Sequence, residues 1–66
     1  QPEDRDIFHA VMELPEKYRA VVILHYFEDM PLPAVAKILG ENLNTVKSRE
    51  RRALQALRQQ AEERMV

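Results

Sequence analysis

The side chains of this 66-residue chain best suited to chemistry lie between Asn44 and Gln59. Wound at about 100° per residue from Asn44, the residues Lys47, Ser48, Arg51, Arg52, Gln55, Arg58 and Gln59 fall within roughly 60–80° of it. Every one of them is polar, four are cationic, and no acid interrupts the arc. A merely solvated helix mixes both charge signs along such a face. Guanidinium, ammonium, amide and hydroxyl groups in one stripe are instead the donors that address phosphate oxygens and base edges. Val46, Ala53 and Leu57 fall on the opposite side, where a core would hold them.

The elements that must position this stripe are visible just upstream. Ala36, Gly40 and Val46 stand at i, i+4 and i+10, the spacing of a helix-turn-helix. A small residue lets two helices cross closely, a glycine takes the turn, and a branched apolar residue plugs the second helix into the core. Leu32, Val35, Ala36 and Leu39 mark the apolar side of the first helix. Gly40, the only glycine in the chain, follows the last apolar-periodic residue, where a positive φ is needed. Asn42 and Asn44 both have the chemistry of an N-cap; Asn42 is preferred and places Thr45 at N3.

Other chemistries find little to use. Without cysteine there is neither a disulfide nor a thiolate metal site. His9 and His25 lie on different helices with nothing nearby to complete a ligand set, so no metal and no cofactor is expected. Ser48 lacks a local His and acid, and Glu13 and Glu16 straddle a helix break, so no enzyme of any class is expected. Met12, Met30 and Met65 suit packing or a chain end. There is no glycine-rich phosphate loop. The apolar run AVVIL at 20–24 is too short to span a bilayer, and no signal-peptide pattern opens the chain. It starts at Gln1, as an excised domain or processed fragment would.

The net charge of −1 conceals an asymmetry. Residues 1–30 hold seven acids (Glu3, Asp4, Asp6, Glu13, Glu16, Glu28, Asp29) against Arg5, Lys17 and Arg19, a balance of −4. Residues 44–60 hold Lys47, Arg49, Arg51, Arg52 and Arg58 against Glu50, a balance of +4. Screening confines each patch to about 8–10 Å, so the local field matters more than the near-neutral total.

Hydrophobic spacing predicts an all-α, four-helix domain over residues 1–66, with a C-terminal helix-turn-helix and a long last helix. The helices are expected at about 3–13, 15–28, 32–39 and 43–62. Ile7, Phe8, Val11 and Met12 share one face of the first. Pro15 is expected at N1 of the second, the most apolar and central element. Pro31 and Pro33 end it and begin the third. A domain this small buries only about 60% of its unfolded surface, so its stability is modest.

The stretch LPEKYRAVVILHYFEDMPLPAVAKILG followed by NTVKSRERRAL resembles region 4 of bacterial RNA polymerase sigma factors, of the extracytoplasmic-function group. Leu14-Pro15-Glu16-Lys17-Tyr18-Arg19 is similar to the opening of that domain, and Tyr26-Phe27 to its aromatic pair. Ala36-Lys37-Ile38-Leu39-Gly40 is similar to its first motif helix, and Thr45-Val46-Lys47-Ser48-Arg49 to its recognition-helix signature. The likeness covers about residues 12–60.

The resemblance implies a cytoplasmic bacterial protein whose last helix docks in the major groove of the −35 promoter element. It also implies that another surface holds the flap of the polymerase β subunit, and that an anti-sigma factor covers such surfaces. By position, Lys47, Ser48, Arg51 and Arg52 would face the groove, with Asn42, Asn44 and Thr45 near the helix start. Arg51 or Arg52 offers a fork to a guanine edge, while Lys47 and Arg58 suit phosphate.

Three positions depart from the family pattern. Glu50 stands where relatives carry an apolar residue, at about 240° on the wheel. It is expected at the core edge, answered by Arg49, Lys37 or a residue of helix 1 or 2. Arg51 occupies a variable site, and Pro31 stands where a capping Ser or Thr is common. Two other readings fit the cationic helix: a LuxR-type response-regulator output domain, and an interaction module for an acidic protein partner.

Overall fold

The computed structural model describes residues 2–64. Its elements are α1 (Pro2–Met12), α2 (Glu16–Val22), a π-helical turn (Ile23–Phe27) that continues α2, α3 (Leu32–Leu39) and α4 (Leu43–Arg64), with no strand among the described residues. The acids read in the first turn of α1 have side chains outside the described part, as does Met65.

The core is two small clusters bridged by α2. Val11, Leu14, Val22 and Ala53 form one, with Tyr18, Ile23, Ala56 and Leu57 packed against it. Val21, Val35, Ala36 and Val46 form the other, with Leu24, Met30, Leu32 and Leu39 around them. Adjacent residues Val21 and Val22 point about 100° apart on a helix, so a single helix feeds both. The largest fully buried side chains, Val11, Val21, Val35 and Val46, are all valine. Valine suits a thin core, because its short, stiff side chain loses little rotamer freedom and lets helices approach closely.

The turn between α3 and α4 follows the local rules. Gly40 adopts φ 66° and ψ 33°. Glu41 N–H donates to Ala36 O at 2.9 Å and Gly40 N–H to Lys37 O at 3.2 Å, the paired bonds of a Schellman ending. A Cβ at Gly40 would meet nothing within 4 Å, so the left-handed backbone alone selects glycine. Asn42 caps α4, its Oδ1 accepting the Asn44 N–H at 2.7 Å while its carbonyl accepts the Val46 N–H at 3.0 Å. Asn44 is therefore inside the helix and does not cap it.

Two features depart from the sequence-based expectation. Pro15 is not the first helical residue. Its φ −53° and ψ 149° make it the extended N-cap of α2, with its carbonyl accepting the Arg19 N–H at 2.9 Å. Residues 13–15 link α1 to α2 with Pro15 in an extended conformation, and proline's fixed φ serves either position. Pro31 enters α3 in the same way, with φ −66° and ψ 152°.

The second departure is that the helix expected to run uniformly to residue 28 widens after Val22. Glu28 N–H donates to Ile23 O, five residues back, at 3.0 Å, and Met30 N–H to Leu24 O at 3.1 Å. The widened turn closes on Asp29 at φ 57°, a left-handed conformation that Asp tolerates better than most side chains. It also lets the His25 ring reach back, Nδ1 donating to Met30 O at 2.7 Å.

Candidate nucleic-acid interface

The exposed side of α4 exists because its other side is anchored. Val46 and Ala53 have no exposed surface. Leu57 is half-buried against the first core cluster. With those three held inward, the 3.6-residue period carries Lys47, Arg51, Arg52, Gln55, Arg58 and Gln59 outward, and all six are exposed. Asn42 and Asn44 are exposed at the start of the helix, and Thr45 and Ser48 are half-buried. The capping bond occupies Asn42 Oδ1, which leaves its amide N–H groups to face outward.

The structure also groups residues that are far apart in sequence. A trough between the start of α2 and the first half of α4 is lined by Lys17, Tyr18, Asn44, Thr45, Ser48, Arg49 and Arg52. A second depression continues it along α4 past Tyr18 and Arg52 to Gln55, Arg58 and Gln59, where Glu62 enters the lining. Lys47 and Arg51 stand outside both. Sequence spacing along α4 misses Lys17 and Tyr18, because only the packing of α2 against α4 brings them there. The one available signal was that Lys17 is one of three bases in a predominantly acidic first half.

Arg49 is held at 3.4 Å from Glu41. Arg19 turns the other way, its Nη1 donating to Met12 O at 3.2 Å and closing the end of α1.

The opposite flank of α4 is closed by Glu50, whose partners narrow the sequence reading to one of its alternatives. Arg49 and Lys37 do not answer it. Tyr26 OH donates to Glu50 Oε2 at 2.9 Å, and His25 Nε2 lies 3.2 Å from the same oxygen. Of the expected partners, it is the second helix that supplies them, through its π-helical turn. His25 thus spans Met30 O through Nδ1 and the Glu50 carboxylate through Nε2. Partial burial pushes the Tyr26 phenol above its ordinary pKa, reinforced by its hydrogen bond to Glu50 and by that carboxylate's charge.

Beyond this flank, Phe8 and Phe27 stack at 6.4 Å and stay about half exposed, at 50% and 44%. Ile7, Met12, Ile38 and Leu54 are also exposed. Among the described residues no group of His, Asp or Glu could hold a metal ion, and no helix is long and apolar enough to cross a membrane.

Comparison with known proteins identifies the chain's relatives. The family described as Sigma-70, region 4 matches residues 4–57. The chain is 48% identical over 56 residues to the RNA polymerase sigma factor SigV of Bacillus subtilis, covering 85% of this chain and 34% of that protein. It is 39% identical over 54 residues to the ECF RNA polymerase sigma factor SigW of the same organism, covering 82% and 29%. To the RNA polymerase sigma-E factor of Streptomyces avermitilis it is 38% identical over 65 residues, covering 97% and 36%. The chain thus spans about a third of the length of these relatives. The response-regulator and acidic-partner readings draw no support from these matches.

Proposed function

The chain belongs to the sigma-70 region 4 family, of the extracytoplasmic-function type, and from that premise we propose that it recognises the −35 promoter element for RNA polymerase in the bacterial cytoplasm. The observation that carries the reading is α4 itself, with Val46 and Ala53 fully buried behind an outward stripe of Lys47, Arg51, Arg52 and Arg58. A helix about 10–12 Å across fits a major groove about 12 Å wide. Arg51 and Arg52 are assigned to base edges, and Lys47 and Arg58 to phosphates. Ser48, Asn44, Thr45 and the free amide of Asn42 supply shorter-range contacts near the helix start.

The stacked and exposed Phe8 and Phe27 are assigned to the polymerase, at the flap of its β subunit. An anti-sigma factor would regulate the domain by covering these same surfaces. A single domain this small makes few contacts, so tight promoter binding requires the polymerase to supply the rest.

Titration of a labelled duplex across salt concentrations tests the docking of α4. About four phosphate contacts give a fall of about 3–4 units in log K per decade of salt. A flat response would refute it. Selection from a randomised duplex pool, repeated with Arg52→Ala, tests the division of roles. The variant should lose preference at one or two base pairs, whereas Lys47→Ala should weaken all sequences alike.

A further inference from the structure

We propose that the trough between α2 and α4 seats one phosphate of the DNA backbone, with Lys17 as a cation supplied from outside the helix-turn-helix. This rests on the docking of α4 proposed above and adds a site to it. Three cations, Lys17, Arg49 and Arg52, line this one concavity together with the hydroxyls of Thr45 and Ser48. No carboxylate lines it. Like charges brought together repel one another.

Arg49 has Glu41 at 3.4 Å, but among the described residues neither Lys17 nor Arg52 has a carboxylate within 4.0 Å. Lys17 Nζ instead stands 5.2 Å from the centre of the Tyr18 ring, which holds the ammonium over the trough without neutralising it. Convergent cations with hydroxyl and amide donors are the chemistry of a phosphate oxyanion.

The position fits a backbone phosphate in particular. On the α4 wheel Ser48 lies at about 40°, Arg52 at about 80° and Arg49 at about 140° from Asn44. A helix that nearly fills the major groove aims its central stripe at the base edges and its flanks at the sugar–phosphate walls. The trough is such a flank, and Lys17 adds to it a cation carried by α2. The second depression is less suited, because Glu62 enters its lining.

The test compares the chain with Lys17→Gln and Lys17→Arg on random-sequence duplex over a salt series. Lys17→Gln should bind roughly five- to tenfold more weakly near 0.1 M salt and lose about 0.9 from the slope of log K against log salt. Lys17→Arg should keep the slope. Thermal unfolding of both variants should match the parent, since Lys17 is exposed. An unchanged slope in Lys17→Gln overturns the assignment even where affinity falls, because a lost phosphate contact must release one counterion fewer. An effect confined to one sequence overturns it as well, since that marks a base contact. A parent chain with no salt slope fails at the earlier step, the docking of α4, and is recognised as such before any variant is compared.

Discussion

The two flanks of α4 use similar chemistry to opposite ends. On the α2 side, Lys17, Arg49 and Arg52 converge on an open trough, and among the described residues the one carboxylate within 4.0 Å of any of them is Glu41, on Arg49. On the π-helical side, Glu50 is held by Tyr26 OH at 2.9 Å and by His25 at 3.2 Å, and His25 is held in turn by Met30 O. One flank leaves Lys17 and Arg52 without a close carboxylate, and the other satisfies its charge within the fold. A surface that binds an anion needs the first condition, because a cation already paired gains little from a new partner. A helix that must keep its rotation about its own axis needs the second. Glu50 thus ties α4 to the π-helical turn on the flank turned away from the trough.

The largest difference between the flanks should appear when the trough loses two cations. Arg49→Ala combined with Arg52→Ala is expected to lower duplex affinity by about 10–100-fold, with a salt slope shallower by about 1, because the trough seats one phosphate and Arg52 is assigned to a base edge. Unfolding free energy should change by less than about 1 kcal/mol, because exposed pairs such as Arg49–Glu41 contribute only about 0.2–1 kcal/mol. Equilibrium titration and urea denaturation of the same sample read both quantities. A large stability loss would mean that these residues hold the fold.

Removing the anchor of the other flank should do the reverse. Glu50→Ala leaves the Tyr26 hydroxyl and a His25 nitrogen without their acceptor, with an expected cost of about 1 kcal/mol. For a domain of this size that lowers the melting temperature by about 4–8 °C. Affinity for random duplex, measured well below the melting point, should not fall, since the variant removes an anion. Glu50→Leu should recover the lost stability, as apolar replacements of half-buried charged networks often do. Weaker DNA binding by Glu50→Leu with an intact fold would show that the carboxylate sets the rotation of α4 in a way packing cannot.

A subtler separation lies at alkaline pH. The Tyr26 phenol is pushed above its ordinary value near 10 by burial and by Glu50, so the fold favours its neutral form. A raised pKa contributes stability that is fully present below the unfolded value and lost as pH rises through the folded one. Stability of the parent should therefore decline above about pH 10, with that component missing from Tyr26→Phe. Identical alkaline unfolding curves would remove Tyr26 from the network on this flank.

The helix-turn-helix was legible because its determinants act within a few residues. Gly40 must take the left-handed turn, Asn42 must cap the start of α4, and Val46 must sit opposite the cationic arc whatever the rest of the chain does. Periodicity also placed Ala53 in the core and Arg51 and Arg52 outside. The π-helical turn left no such signature. A helix that widens by one residue keeps nearly the same apolar pattern over five positions, and the Asp29 that closes it is an ordinary residue in sequence.

Leu54 shows the limit from the other side. It lies at about 280° on the wheel and is 39% exposed, at the margin where the 3.6-residue period does not decide burial.

The order of residues alone thus determined where the chain turns, which helix carries the cations, and which of its faces is apolar. Tertiary packing decided which distant side chains meet that helix. Lys17 joins Arg52, and His25 with Tyr26 takes Glu50, only because α2 lies against α4. The reason is one of range: dihedral preference, capping and helical period act over a few residues along the chain. Electrostatic and hydrogen-bonded pairing acts through space, and its partners are settled only when the core brings the helices together.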